Sequence, residues 1–381
     1  MKPSARSNIQ AGKGSPHSGK TSGRQIHVSD KHLPAFRRHL LAWFRRHQRA
    51  LPWRATGDPY RIWVSEIMLQ QTRVAVAVEY YARFLERFPT AKELARARAS
   101  EVLRLWAGMG YYRRARQLHQ AARVVVREHN GKFPDDFDLA LALPGIGHYT
   151  AAAILSIAYD RRHAVVDGNV LRVLARLDAR RGTLAPRHLE PRALALLPRR
   201  APGEWNQAMM ELGATVCLPR RPLCLLCPVA SFCRARALGI QEEIPPGRRK
   251  REAVDILLAA ALVRRGGRLL LIKQADGLFV NQWQFPAVEL FPGEDVEGRL
   301  RAMLRDRCGL IASRVRALEP RRHAITFRRI RLLPFLITPA RIPPSKPNWR
   351  WAREKEILSL VTSSAMKKIL ETAGSAGLWL E

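Results

Sequence analysis

The spacing of apolar side chains divides the chain into two halves with different periods. Leu33, Phe36, Leu40 and Phe44 recur at steps of three and four, with Arg and His on the opposite face, which predicts an amphipathic helix. The same period predicts helices over about 61–70, 74–87, 91–97, 100–107, 113–129, 136–142, 148–159, 169–178, 186–196 and 204–213. After residue 240 the pattern changes. Asp255 to Val263 and Arg268 to Gln274 are apolar, strand-length runs joined by a turn with Gly266 and Gly267, so a hairpin is expected. Further strands, with helices near 295–308 and 363–373, make this half a small α+β domain.

Two segments fall outside both patterns. Residues 1–28 are rich in Gly, Ser and Lys and contain no acid before Asp30, which predicts a disordered basic tail. Residues 241–252 carry Pro245, Pro246, Gly247 and a run of Arg and Lys, which reads as an exposed linker between a helical domain (29–240) and the α+β domain (253–381).

Charge narrows the choice of partner. The 381 residues carry 66 Lys and Arg against 32 Asp and Glu, a formal charge of +34. So much like charge repels itself unless a polyanion offsets it, and the basic residues are spread along the chain rather than gathered on one membrane-surface helix. Nucleic acid is the expected partner. There is no uncharged apolar run of the roughly 18 residues a membrane span needs, and the first residues lack a secretory apolar stretch. A soluble intracellular protein is expected, cytoplasmic and nucleoid-associated if bacterial.

Four of the five cysteines, Cys217, Cys224, Cys227 and Cys233, are separated by six, two and five residues. Four thiolates on so short a loop can enclose a tetrahedral zinc or a cubane iron–sulfur cluster, and the spacing leaves both open. Cys308 reads as an ordinary buried thiol. Leu143-Pro144-Gly145-Ile146-Gly147-His148-Tyr149-Thr150, between two helical runs, reads as a helix-hairpin-helix whose Gly145 and Gly147 bring backbone amides to a phosphate. Asp167, before the helix that opens near Val170, has a helix cap as its default role. Glu66 stands alone in the nearly apolar run Trp63 to Leu69, where a carboxylate is paired, turned outward, or held protonated for use as an acid.

Together the cysteine spacing, the hairpin and the downstream Asp resemble the endonuclease III superfamily of base-excision DNA glycosylases. Within it, Leu51-Pro52-Trp53-Arg54, the run Ser65 to Thr72, Gly108-Met109-Gly110-Tyr111-Tyr112 and Trp205 to Gly213 resemble the adenine DNA glycosylases of the MutY type, over about residues 30–381. The resemblance implies a six-helix part at about 53–160 and an iron–sulfur part at about 29–52 and 161–240, with the cysteines holding a [4Fe–4S] cluster. It implies a monomer acting on double-stranded DNA with adenine opposite 8-oxoguanine or guanine. Where strand-cutting members carry a Schiff-base Lys this chain has Tyr149, so the resemblance implies hydrolysis.

The implied roles follow the chemistry. A base within its stack must be flipped out, with Tyr111 and Gln71 entering the duplex. Glu66 would protonate adenine and Asp167 steady the sugar cation, with Tyr149 and Asn169 orienting Asp167 or water. Arg49, Trp53 and Gln207 would line the adenine site, while Arg220 and Arg221 would meet phosphates. The second half resembles the family's Nudix-like domain, best matched at Gln282 to Pro286. Its helix near 299–309 carries arginines and a single Asp306, so triphosphate hydrolysis is not expected. The family's Phe-Ser-His lesion-reading loop is here His323-Ala324-Ile325-Thr326-Phe327, with the Thr326 hydroxyl in place of serine. Three rivals stand beside this reading: a bifunctional oxidised-pyrimidine glycosylase and lyase, a non-catalytic iron–sulfur DNA-binding protein, and a nucleotide hydrolase.

Overall fold

The computed structural model describes residues 31–246, 252–273, 278, 282–361 and 363–375. The expected tail (1–28) and the core of the expected linker (247–251) lie outside them. Among the described residues of the first half there are twelve α-helices: α1 (Leu33–His47), α2 (Pro59–Leu69), α3 (Val74–Arg87), α4 (Ala91–Arg96), α5 (Ala99–Leu105), α6 (Tyr112–Glu128), α7 (Phe137–Leu141), α8 (His148–Tyr159), α9 (Gly168–Leu177), α10 (Glu190–Leu196), α11 (Pro202–Thr215) and α12 (Arg234–Ala237).

These helices build two apolar cores. One runs from Trp53 to Leu155 and centres on α2, which is buried on almost every side, as its nearly uniform apolar sequence requires. In the other, α1 returns Phe36, Leu40 and Phe44 onto Val170, Val173 and Leu174 of α9 and Trp205 and Met209 of α11. Small residues set the spacing of the layer between them. A Cβ on Gly203 would lie 2.3 Å from the Ser156 carbonyl oxygen of α8, and one on Gly213 2.6 Å from Asn169 Cβ of α9. Glycine at these two positions lets α11 seat against α8 and α9 at backbone distance.

The second half holds strands β1 (Val254–Arg265), β2 (Arg268–Lys273), β3 (Trp283–Gln284), β4 (Ala287–Leu290), β5 (Ile311–Ala317), β6 (Arg321–Ile325), β7 (Arg328–Arg341) and β8 (Trp349–Ala352), with helices α13 (Val296–Cys308), α14 (Glu354–Leu360) and α15 (Ser364–Ser375). The β1–β2 hairpin turns at Gly266 and Gly267, both with positive φ, in the register Arg265 opposite Arg268. β1 then pairs in parallel with β7 from Val254–Arg328 to Val263–Ile337. Its middle is buried on both faces because α13 covers one and α14 and α15 the other. The hairpin β6–β7 carries the Ile325–Thr326–Phe327 loop at its tip.

Candidate active site

Glu66 lies on the buried face of α2 and is 6% exposed. Burial is the largest influence on its carboxyl and drives it up. A hydrogen bond from the Tyr149 hydroxyl to Oε2 at 3.3 Å pulls the other way, and the nearby charge of Asp167 raises it again. The net value is about 7, so near neutral pH the acid is divided between its two forms. Tyr149, on the first turn of α8, is itself raised well above an ordinary phenol, chiefly by burial, and stays a donor. Its hydroxyl also lies 3.5 Å from Met210 Sδ.

Asp167 does two things at once. As N-cap of α9 its Oδ1 accepts the backbone N–H of Asn169 (2.8 Å) and of Val170 (2.7 Å), the structural role its position predicts. Its Oδ2 accepts Asn169 Nδ2 at 2.8 Å. Burial raises its pKa against the opposing pull of these hydrogen bonds. Asn169 is fixed in turn by Arg172, whose Nη2 donates to its Oδ1 at 3.0 Å. Tyr149 and Asn169 are expected to orient Asp167 or water; the Tyr149 hydroxyl bonds Glu66 and the Asn169 amide bonds Asp167.

Glu66 and Asp167 line one cavity of about 360 Å³, within the range of ligand-sized pockets. Arg49, Trp53, Gln71, Tyr149, Asn169 and Gln207 share its wall, and among the described residues no lysine lines it. Trp53 is mostly core, packed edge-on against Tyr81. Two more wall residues, Arg54 and Glu211, were not singled out from the sequence. The Glu211 carboxylate, wholly buried, accepts Arg49 N, Nε and Nη2 at 3.0, 2.8 and 2.7 Å, and Arg54 Nη2 at 2.7 Å. Burial pushes this acid up, but the hydrogen bonds from Arg49 and Arg54 overcome it and hold it at about 2. Arg49 is thus pinned at the cavity rim with its backbone nitrogen and two of its guanidinium nitrogens committed. The signal that drew attention to Glu66, one acid in an apolar run, is repeated at Met209-Met210-Glu211-Leu212.

The hairpin loop ends at Gly147, the exposed N-cap of α8. Its φ is ordinary and a Cβ there would meet nothing, so neither conformation nor packing within the protein explains a glycine. Gly145 differs: φ is +81° and a Cβ would strike Gln117. Gln71 and Tyr111 are exposed residues held at φ +59° and +51°, an uncommon backbone state for side chains of their size. Tyr111 lines a second cavity, of about 420 Å³, that brings the two halves of the chain together through Gln282, His323 and Thr326. Thr326 has φ +54°, and its hydroxyl donates to the Ile325 carbonyl at 2.7 Å.

Cys217, Cys224, Cys227 and Cys233 line one small cavity below α9, with no disulfide between them. Burial, reinforced by their mutual repulsion, raises the pKa of Cys224, Cys227 and Cys233, so thiolates here need a cationic centre to offset them. Among the described residues no three His, Cys, Asp or Glu side chains close on a point as ligands of a single ion do. Arg220 and Arg221, between the first two cysteines, are exposed.

A helical scaffold with a glycine hairpin, and beside it a cavity walled by a proton-holding acid and a second carboxyl, defines a helix-hairpin-helix base-excision DNA glycosylase. Residues 64–199 match the HhH-GPD superfamily of base excision DNA repair proteins. The chain is 37% identical over 413 residues to mouse adenine DNA glycosylase, covering 91% of this chain and 80% of that one. It is 45% identical over 231 residues to the adenine DNA glycosylase of Mycobacterium tuberculosis, covering 58% and 72%. Among solved structures, a thermostable thymine-DNA glycosylase superposes with TM-score 0.52 at 29% identity, over 55% of this chain and 99% of that one. The chain belongs to the adenine DNA glycosylase family: it is a DNA N-glycosylase, and DNA is its substrate.

Proposed function

We propose that this enzyme hydrolytically excises adenine paired with 8-oxoguanine or guanine, without cutting the strand. The observation that carries the reading is the pair of carboxyls in one cavity, in different surroundings. Glu66, buried and among the described residues bonded only by Tyr149, holds a proton near neutral pH and gives it to the flipped adenine, turning the base into a neutral leaving group. Asp167 accepts three hydrogen bonds and is the better placed of the two to stay ionised; from the cavity wall its charge steadies the cation that grows on the sugar. The freed Glu66 carboxylate can then take a proton from water. With no lysine on the cavity wall among the described residues, a Schiff-base route lacks its amine there.

The remaining residues fit the same reading. Gln71 and Tyr111 enter the duplex, and Arg49, held by Glu211, together with Gln207 meets the adenine edge. Gly147 leaves room for a phosphate at the start of α8. Thr326 shares a cavity with Tyr111, which supports a role for it in reading the opposite base. The cysteines would hold a [4Fe–4S] cluster, as members of this superfamily do: four free thiols line one cavity and can supply its four ligands. Bound there, the cluster supplies a cross-link that ties the loop carrying Arg220 and Arg221 into one piece.

Single-turnover assays on duplexes with adenine opposite 8-oxoguanine, guanine or thymine test the proposal. Wild type should release adenine from the first two and give little borohydride trapping; Glu66→Gln and Asp167→Asn should both fail. Retained excision in both variants, or efficient trapping of the wild type, would refute it.

A further inference from the structure

Arg114, on the first turn of α6, is a buried arginine without an acid. It is 8% exposed, and among the described residues no carboxylate lies in ion-pair contact with it. Carbonyl oxygens take the place of a counter-ion. Nη1 donates to Ile67 O and Met68 O, each at 3.0 Å, and to Gln70 O; Nη2 donates to Thr72 Oγ1 at 3.0 Å and to Gly110 O at 3.4 Å. The guanidinium lies over the rings of Trp106, at 5.6 Å, and of Tyr111, at 5.2 Å. Burial lowers its pKa to about 10, still a cation at neutral pH.

These partners are not a random set of carbonyls. Ile67 and Met68 are the residues after Glu66, at the end of α2, whose unpaired carbonyls favour a cation. Gln70 and Thr72 flank Gln71, and Gly110 precedes Tyr111. Gln71 and Tyr111 both hold positive φ, a state that persists only where its surroundings over-determine it. One planar cation therefore touches the end of the catalytic helix, both neighbours of Gln71, and both the turn and the ring of Tyr111.

We propose that Arg114 is a positioning residue that fixes Gln71 and Tyr111, the side chains that enter the duplex, in register with the Glu66 helix. The inference rests on the roles given to Gln71 and Tyr111 above. Opening of the base pair and delivery of the proton are then set by one rigid junction. Lysine cannot replace it, because one ammonium nitrogen cannot reach five acceptors that the guanidinium meets with two separate nitrogens while lying over two rings.

The test follows base flipping by the fluorescence of 2-aminopurine at the target position, alongside single-turnover adenine excision and thermal unfolding. Arg114→Lys, and Arg114→Met as a second variant, are compared with wild type, Tyr111→Ala and Gln71→Ala. Arg114→Lys is expected to fold and to bind an abasic duplex, yet flip and excise roughly 100-fold more slowly, the loss that a misplacement of about 1 Å brings. Introduced into Tyr111→Ala with Gln71→Ala, it should add little, because its effect runs through those two side chains. Wild-type flipping in a folded Arg114→Lys, or in Arg114→Met should the lysine variant not fold, would overturn the inference, as would strict additivity. If Tyr111→Ala and Gln71→Ala themselves flip normally, the wedge reading fails, whatever Arg114 does. If they are impaired and Arg114→Lys is not, only the Arg114 inference fails.

Discussion

Replacing Glu66 with Gln should stabilise the folded protein at alkaline pH while abolishing its chemistry. Raising a buried carboxyl from its ordinary 4.5 to about 7 corresponds to about 3 kcal/mol of preference for the neutral form. Below pH 4.5 Glu66 is protonated in both the folded and unfolded chain and costs nothing. As pH rises from 4.5 to 7 the unfolded chain ionises first, and the folded state loses those 3 kcal/mol or so, fully by pH 8. Glutamine carries no charge and keeps an oxygen for the Tyr149 hydroxyl, so it escapes this loss. Denaturant unfolding of both proteins between pH 4.5 and 9 measures the difference, since the other titrating groups cancel. The variant should draw level near pH 4.5 and lead by about 3 kcal/mol at pH 8. Two parallel stability curves would show that Glu66 is an ordinary, solvated carboxylate and would remove the ground for calling it an acid catalyst.

Other perturbations have definite signs. Glu211 sits in the same cavity with its pKa held at about 2, so it adds stability above pH 4.5 that is lost as pH falls toward 2. The gap between wild type and Glu211→Gln in denaturant midpoint should therefore close over that range, from an initial cost of about 3–5 kcal/mol for stranding Arg49 and Arg54. Gly213→Ala puts a methyl 2.6 Å from Asn169 Cβ, which should displace Asn169 from Asp167. Excision should fall roughly 100-fold in single turnover while unfolding shows a loss of only about 1–3 kcal/mol. Tyr149→Phe removes the one hydrogen bond that lowers the Glu66 pKa, so the alkaline limb of its rate profile should move to higher pH.

How much of this was legible in the sequence depended on the range of the interaction. Helices such as Tyr112–Glu128 and the β1–β2 hairpin announce themselves through local period and turn chemistry. The cysteine set was visible for the same reason, and Glu66 because a lone acid in an apolar run is conspicuous. What the sequence hid is what folding brings from afar. Arg114 is paired with carbonyls more than 40 residues away, and a carbonyl has no residue type to read. Glu211 pairs with arginines about 160 positions earlier, and β1 with β7 some 74 positions later. The short helix α14 was missed because seven residues carry too little period to stand out. Gly213 reads as a poor helix residue until Asn169 is seen behind it.

The central claim is that a protonated Glu66 drives the loss of adenine while Asp167 steadies the sugar. The pH dependence of single-turnover adenine excision on one duplex bears on it most directly. Wild type should fall by about tenfold for each pH unit above about 7, as Glu66 gives up its proton, with Glu66→Gln slow and flat throughout. A wild-type rate that holds level or climbs from pH 7 to 9 would contradict the account.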